Sequence, residues 1–415
     1  MTHALLCRGL AISAMNAPMR AAAPEEARMS RHPKFHPSQR GAAPSIAEQL
    51  YQRARVIEAT GKDMLYLQLG QPSTGAPAGT MEAVLSAGEQ NIFGYTSAAG
   101  NEDLRERIAR QYDEIYGASV NPQNVIITFG ASGAMILAVV GCFDVGQRIG
   151  MPAPFYYGYR YALETLGVEC VIFETTIEND FQPTVAEIEA IEGGIDGLIV
   201  TSPGNPTGSM IQPAELKALS LYCEKTGIRF ISDEIYHGIV FDDETPQATA
   251  CSFSNEAIVI NSFSKYYSMP GWRLGWMVVP DYLAESIANL AHNLYLCPPA
   301  PSQVGALHAL DCRAELDQHV VRYKRNRDIL LAGLPSLGFD RFAEPHGAFY
   351  FYCHVQHMNE DSVEFCIEMM EHANVLVAPG SDFCPQSGKH FIRFSYAGAT
   401  EVVEAAVDRL AAWRG

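Results

Sequence analysis

Short apolar runs alternate with amphipathic stretches through the middle of the chain, between about residues 80 and 300. Apolar runs of this length are typical of strands buried on both faces of a sheet. The predicted strands are 124–129, 147–151, 168–173, 197–201, 229–231, 257–260 and 274–279. Strands that alternate with helical segments predict an α/β fold. A long helix after the last of these strands is predicted to open at the N-cap Asp281 and to reach Leu296.

The two ends of the chain have a different pattern. Residues 44–61 have apolar positions at helical spacing, with Ser45 as the N-cap and Gly61 at the end. The other elements predicted here are strands at 64–69, 347–353, 375–380 and 390–396, a charged helix at 320–331 and a final helix capped by Thr400. From about residue 315, runs of strand then helix predict an α+β lobe.

Composition excludes several classes of protein. The 415 residues are 48% hydrophobic, which provides a sizeable core, and the net charge of −18 argues against a nucleic-acid partner. The ten cysteines are scattered without a Cys-x-x-Cys pair, which indicates free thiols in a reducing compartment and predicts a cytoplasmic protein. The longest apolar run, 134–140, is too short to cross a membrane. His354 and His357 have no acidic partner at a metal-binding spacing, so no metal site is predicted.

Residues 1–44 differ from the rest of the chain. They contain six Lys or Arg against two Glu and are rich in Ala, Pro and Met. An Arg-rich, acid-poor segment of this kind resembles an organelle transit peptide. A disordered tail, or a true start at Met15, Met19 or Met29, is the simpler interpretation and the one we prefer.

The polar residues after the strand at 257–260 carry the candidate chemistry. Lys265 lies at the end of a buried strand, where desolvation lowers the pKa of an amine and favours the neutral form. A neutral lysine can condense with an aldehyde as a Schiff base. The hydroxyls of Ser262 and Ser264 and the guanidinium of Arg273 suit a phosphate dianion. An aldehyde with a phosphate group describes pyridoxal 5′-phosphate.

The turn after the strand at 124–129 is a second candidate for phosphate binding. Gly130, Ala131 and Ser132 lead from this strand into an apolar helix. Backbone N–H groups at such a turn point outward at the positive end of the helix dipole, which favours an anion. The Ser132 hydroxyl can add a further donor.

Asp233 is the candidate partner for the cofactor ring. A carboxylate at the end of an apolar strand is costly to ionise unless a cation lies beside it, and a protonated pyridine nitrogen is such a cation. This pair keeps the ring an electron sink. Tyr236 is placed to donate to the phenolic oxygen. Asp233 and Lys265 are 32 residues apart, one strand–helix–strand unit, so both are predicted to reach the same edge of a parallel sheet.

These motifs resemble the fold-type I pyridoxal-phosphate aminotransferases of class I and II, the aspartate aminotransferase-like superfamily. The match of Ser-x-Ser-Lys at 262–265 and Gly-x-Arg-x-Gly at 271–275 is specific. The resemblance covers about residues 45–415. It implies a mostly parallel seven-stranded sheet in a large cofactor-binding domain, 76–310, and a smaller α+β domain built from both chain ends, 45–75 and 311–415.

The resemblance also implies roles for aromatic residues. In the family, a tyrosine at the position of Tyr95 reaches the phosphate of the neighbouring subunit's cofactor, which implies a homodimer. An aromatic ring at Tyr156 lies against the face of the pyridine, and Phe155 or Tyr157 takes that place if the register differs by one residue.

Three further residues match the part of the family site that binds the cofactor oxygen and the substrate. Asn205, in a turn fixed by proline, donates to the phenolic oxygen and borders the substrate. The backbone of Gly70 faces the substrate carboxylate, although Gln71 and Ser73 replace the acids of the family loop. Arg393 holds the α-carboxylate, because arginine binds carboxylates through two parallel hydrogen bonds.

The resemblance implies a transaminase that moves an amino group from an L-amino acid to a 2-oxo acid by a ping-pong mechanism through a Lys265 Schiff base. Lys265 then moves the proton between Cα and the cofactor. A carbon–sulfur β-lyase of the same fold would use the same residues. A cofactor-sensing regulator would need a DNA-binding domain, for which 44 leading residues are too few. The sequence does not select the amino acid.

Overall fold

The computed structural model describes residues 38, 40, 44–90, 93–241 and 245–414. The predicted tail, 1–44, therefore lies almost entirely outside the described residues. Within the described part of the chain, every helix is too short or too polar to cross a lipid bilayer. The cysteines in that part are free thiols, as predicted.

The helices confirm most of the sequence-based assignments. The α-helices of the described residues are α1 Ile46–Glu58, α2 Thr80–Gln90, α3 Glu102–Tyr116, α4 Gly130–Cys142, α5 Gly158–Leu166, α6 Val185–Glu189, α7 Pro213–Thr226, α8 Asp281–Tyr295, α9 Ala300–Ala309, α10 Arg313–Gly333, α11 Ser362–Glu368 and α12 Thr400–Arg414. Ser45 caps α1 as predicted, since its hydroxyl accepts a hydrogen bond from the Glu48 amide at 3.2 Å. Thr400 is the first residue of α12 rather than the residue before it.

The strands belong to three sheets. In the described residues they are β1 Leu65–Tyr66, β2 Val125–Thr128, β3 Arg148–Ala153, β4 Glu169–Glu174, β5 Gly197–Thr201, β6 Arg229–Asp233, β7 Ile258–Ser262, β8 Gly275–Val278, β9 Arg341–Phe342, β10 Tyr350–His354, β11 Val375–Leu376, β12 Ala378–Pro379 and β13 Phe391–Ser395. The large sheet has seven strands in the order β2-β8-β7-β6-β5-β3-β4. Strand β8 runs in the opposite direction to the other six strands of this sheet, so its pairings with β2 and β7 are antiparallel. The predicted α/β fold with a mostly parallel seven-stranded sheet is confirmed.

The order of the large sheet explains where the site lies. From β3 the chain adds β4 on one side, then returns to add β5, β6 and β7 on the other. In open α/β sheets, ligands bind at the carboxyl ends of the strands where the order reverses in this way. Strands β2 and β7 are buried along their whole length, which accounts for the apolar runs 125–127 and 258–260 within them.

The two ends of the chain meet in the smaller sheets. Strand β1 pairs in parallel with β11, and the antiparallel sheet has the order β12-β13-β10-β9. Strand β13 is therefore interior, between β12 and β10. We propose the division into a large domain at 76–310 and a small one at 45–75 and 311–415, which the pairing of β1 with β11 supports.

Besides Thr400, three sequence-based assignments were wrong in detail. The described part of the β6–β7 connection contains a single 3-10 turn, Ala250–Ser252, rather than an α-helix. Asp281 is the first residue of α8 and Pro280 is its N-cap, while the Asp281 carboxylate accepts a hydrogen bond from the Asn124 side chain. The strand predicted at 375–380 is divided at Val377 into two strands of different sheets. Strand β11 pairs with β1, and β12 pairs with β13.

Glycine at position 275 provides a test of how tightly β8 packs on the first turn of α4. A Cβ atom at Gly275 would lie 2.7 Å from the carbonyl oxygen of Asn261 and 2.8 Å from the carbonyl carbon of Gly130. Since these are backbone atoms, we expect Gly275→Ala to lower the free energy of unfolding by about 1–3 kcal/mol. Urea unfolding of the cofactor-free protein measures this change.

The matched control is Gly271→Ala, because a Cβ atom at Gly271 would meet no atom within 4 Å. We expect the control to change the free energy of unfolding by less than about 0.5 kcal/mol. Equal losses in the two variants would contradict the close approach of β8 and α4.

Candidate active site

A cavity of about 600 Å³ opens at the carboxyl ends of the central strands, between the large sheet and the antiparallel sheet. It gathers most of the residues that the sequence singles out. The predicted site residues that line it are Gly70, Ala131, Ser132, Tyr156, Asn205, Asp233, Tyr236, Ser264, Lys265, Arg273 and Arg393. A cavity of this volume is in the usual range for sites that bind small molecules and cofactors.

Lys265 lies three residues beyond the end of β7, in the turn that follows the strand. Its Nζ donates a hydrogen bond to the Gly70 carbonyl oxygen at 2.7 Å. Burial, together with the positive charges of Arg393 and Arg273, lowers the pKa of the amine to about 8, against the opposing effect of Asp233. A substantial fraction of this amine is therefore neutral near physiological pH, as a nucleophile or base requires.

Asp233 is the last residue of β6 and is buried at the base of the cavity. One carboxylate oxygen accepts from the Tyr159 hydroxyl, and the other accepts from the Ile235 amide at 3.1 Å. Burial raises the pKa of Asp233 to about 6, against the effect of these hydrogen bonds and of Lys265. A cation beside it would stabilise the ionised form.

The turn before α4 has the features of an anion site. The N-cap residue of α4, Phe129, provides no side-chain hydrogen bond, so the first N–H groups of the helix have no capping partner. The Arg273 guanidinium lies so close that a Cβ atom on Gly130 would be 2.9 Å from its Nη2. Ala131 and Ser132 from this turn and Ser264 line the cavity beside it. Helix dipole, guanidinium and hydroxyls together suit a phosphate.

Arg393 lies within β13 and is only 6% exposed, which excludes a solvated arginine on an edge strand. Its Nη1 donates to the Asn205 side-chain oxygen at 2.7 Å, and its Nη2 donates to the Gln68 carbonyl oxygen. The Nε atom is buried without a hydrogen-bond partner. The guanidinium lies 4.5 Å from the centre of the Tyr350 ring and 4.6 Å from that of Phe383. These contacts fix a positive charge at the cavity wall.

Tyr350 is a site residue that the sequence does not single out. Its hydroxyl lies 2.8 Å from the Tyr236 hydroxyl, and a Cβ atom on Gly70 would overlap it at 1.9 Å. Since a phenol can accept one hydrogen bond and donate another, Tyr236 can accept from Tyr350 and still donate into the cavity. Tyr350 thus touches Gly70, Tyr236 and Arg393 together.

Several predicted residues lie outside the cavity lining. Ser262 is buried beneath it, and its hydroxyl bonds to the Ser264 hydroxyl at 2.8 Å and to the Leu274 carbonyl oxygen at 3.0 Å. Ser262 therefore orients the Ser264 hydroxyl, which lines the cavity. Tyr95 is 85% exposed on the surface of the chain. Phe155 is buried and does not line this cavity, which leaves Tyr156 and Tyr157 as the candidate rings.

Comparison with known proteins identifies the class of enzyme. Residues 62–410 match the family model described as aminotransferase class I and II. The chain therefore belongs to the class I and II aminotransferases, which use pyridoxal 5′-phosphate.

Individual relatives agree with this assignment. The chain is 40% identical to the valine–pyruvate aminotransferase of Mycobacterium tuberculosis over 375 residues, 90% of this chain and 97% of the relative. A crystal structure of an aminotransferase from Mycobacterium tuberculosis superposes with a TM-score of 0.89 at 39% identity, covering 92% of this chain and 99% of that one. The aspartate aminotransferase of Thermus thermophilus with maleate gives a TM-score of 0.85 at 28% identity, covering 91% and 99%.

The residues present fit the family's cofactor. The uncapped start of α4 with Arg273 suits the phosphate, and the buried Asp233 carboxylate suits a protonated ring nitrogen. The Lys265 amine lies in the same cavity, where it can reach an aldehyde. Each charged group of the cofactor therefore has a partner of opposite charge.

The lowered pKa of Lys265 predicts an unusual pH dependence of its reactivity. In the cofactor-free protein, the neutral fraction of the amine rises with pH through about 8, the pKa to which burial and the two neighbouring arginines lower it. We expect acetylation of Lys265 by a water-soluble reagent, followed by peptide mass spectrometry, to show half-maximal rate near that pH. A midpoint near 10.5, the ordinary lysine value, would contradict the effect of burial and of the neighbouring arginines.

Proposed function

We propose that this aminotransferase exchanges the amino group of valine, or of a similar aliphatic amino acid, with pyruvate. The observation that carries the proposal is the distribution of charge in the cavity. Among its described lining residues the cations are Lys265, Arg273 and Arg393. With Lys265 assigned to the chemistry and Arg273 to the phosphate, only Arg393 is left for a carboxylate. A substrate with a single carboxylate fits this arrangement best.

The remaining lining residues support an aliphatic side chain. Apolar and aromatic residues dominate the part of the cavity near α1 and α4, including Tyr51, Leu69, Met135 and Ile136. Glu48, at the same side of the cavity, would repel a second carboxylate. The 40% identity to a valine–pyruvate aminotransferase supports the same class of substrate.

We assign the roles of the residues as follows. Arg393 and Asn205 bind and orient the α-carboxylate, and the uncapped turn of α4 with Arg273 and Ser264 holds the phosphate. When bound, the cofactor supplies an aldehyde carbon for the amino group and an electron sink for the electrons left at Cα. Lys265, through its neutral amine, takes the proton from Cα and delivers it to the C4′ atom.

The remaining roles concern the ring. Asp233, held by Tyr159, keeps a proton on the ring nitrogen. Tyr236 donates a hydrogen bond to the phenolic oxygen, and Tyr156 packs against the face of the ring. The same sequence of proton transfers in reverse completes a ping-pong cycle with the oxo acid as second substrate.

We further propose a homodimer in which Tyr95 reaches the neighbouring subunit's site. The 85% exposure of Tyr95 and the partial exposure of Phe93, at 39%, support a surface covered by a second copy. Exposed apolar side chains continue on nearby segments, at Met81 and Leu85 of α2. A cytoplasmic location remains a proposal, supported by the free thiols.

Substrate selectivity tests the proposed reaction. With pyruvate as acceptor, we expect kcat/KM for valine to exceed that for aspartate by at least about 100-fold, because the second carboxylate would be left unpaired in the cavity. Formation of alanine measures the rate. Asparagine is the matched control substrate, since it has the shape of aspartate without its charge, and we expect it to react faster than aspartate.

Two outcomes would overturn the proposal. Aspartate reacting as well as valine would indicate a second cationic group in the working site. An S-substituted cysteine could instead be cleaved by β-elimination. Release of pyruvate and ammonia from it, at the same rate with and without an oxo acid, would indicate the carbon–sulfur lyase.

Mixed dimers test the role of Tyr95. We expect Tyr95→Ala and Lys265→Ala each to be severely impaired alone, and their mixture after co-refolding to regain about a quarter of the wild-type activity, because half of the dimers would contain one intact site. The amount of alanine formed by equimolar mixtures measures this recovery. A mixture no more active than the sum of its components would show that Tyr95 acts within its own subunit, or not at all.

A further inference from the structure

The first turn of α1 is attached to a residue from the far end of the chain. One carboxylate oxygen of Asp382 accepts from the Ile46 amide at 2.8 Å, and the other accepts from the Ala47 amide at 2.7 Å. The Ser45 hydroxyl satisfies the Glu48 amide. The start of α1 thus depends on a carboxylate 336 residues away in sequence, which complements both its free N–H groups and its dipole.

The same part of α1 is a wall of the substrate cavity. Ser45, Ala47, Glu48 and Tyr51 line it. The helix packs on β11, β12 and the 3-10 turn Gly380–Asp382, all from the C-terminal part of the chain. Its position over the cavity is therefore set by the segment that contains Asp382.

The segment that holds α1 also touches the carboxylate-binding arginine. Phe383, the residue after Asp382, lies against the Arg393 guanidinium with 4.6 Å to the ring centre. The Phe383 carbonyl oxygen accepts from the Phe155 amide at 3.0 Å, which fixes this segment to the chain beyond β3. Asp382 and Phe383 thereby connect the α1 wall, Arg393 and the large sheet.

We propose that Asp382 is a positioning residue, which fixes α1 as the wall of the substrate cavity. It does so by holding the Ile46 and Ala47 amides, and it has no contact with the reacting atoms in this role. The fraction of molecules with a complete cavity then depends on these two hydrogen bonds. Their loss lowers the affinity for the amino acid and leaves the chemical groups in place.

Asp382→Ala tests the proposal in two independent ways. We expect amide hydrogen exchange of peptides that cover 46–58 to become at least about tenfold faster, because local opening of α1 is no longer opposed by the two partly buried hydrogen bonds of Asp382. This measurement does not depend on the proposed substrate. In kinetic assays with valine and pyruvate, which rest on the proposed function, we expect KM for the amino acid to rise about tenfold while kcat changes less than about threefold.

Asp361 provides a matched control. Its carboxylate accepts from the Val363 and Glu364 amides at 2.7 and 3.3 Å, so it caps α11 in the way that Asp382 caps α1, but it does not line the cavity. We expect Asp361→Ala to accelerate exchange in α11 alone and to leave KM unchanged. Asp382→Asn, which retains one acceptor oxygen, should change exchange and KM in the same direction as Asp382→Ala but by less.

Three outcomes would overturn the proposal. Unchanged exchange at 46–58 in both Asp382 variants would show that other contacts hold α1. Faster exchange with unchanged KM for every amino acid that the enzyme turns over would show that the α1 wall does not affect substrate binding. An equal rise of KM in Asp361→Ala would show a general loss of stability. Failure of valine as a substrate, with faster exchange at α1, would instead refute only the proposed substrate.

Discussion

The site depends on an excess of positive charge in a partly closed cavity. Lys265, Arg273 and Arg393 face one deep carboxylate, Asp233. Burial, together with the repulsion from Arg393 and Arg273, lowers the pKa of Lys265. The two guanidinium groups supply the lasting positive charge of the cavity. A phosphate and a carboxylate are then the natural counter-ions. The same two arginines therefore help to keep the lysine amine neutral and favour anionic ligands.

Much of the large sheet could be predicted because its central strands are buried on both faces. The apolar runs within β2, β5 and β7 indicate where these strands lie, and polar residues at the carboxyl ends of parallel strands lie at one edge of the sheet. The convergence of Asn205, Asp233 and Lys265 follows from that argument. The apolar runs at 64–69 and 375–380 predicted strands there, but they did not reveal that β1 and β11 have only two residues each or that they pair with one another, because that pairing depends on the folded backbone.

The contacts that complete the site were beyond prediction because they join distant parts of the chain. Tyr159 reaches Asp233 across 74 residues, and Tyr350 reaches Tyr236 across 114. In a segment with several tyrosines, the sequence alone does not show which of them reaches the site. Gly70 carried a usable signal, because a glycine can mark a place where another group approaches closely. The β6–β7 connection was predicted to contain a helix because of its length. Length alone does not distinguish a helix from the irregular segment that the structure has there.

The pairing of β1 with β11 has a consequence for synthesis on the ribosome. All strands of the large sheet lie between residues 125 and 278, so this sheet can form while the last third of the chain is still being made. Helix α1, however, packs on β11 and β12 and is bound by Asp382, so its contacts form only after residues 375–382 have been made. The nascent protein therefore exposes the apolar face of that helix for most of its synthesis, and chaperones that bind apolar segments have their longest opportunity there.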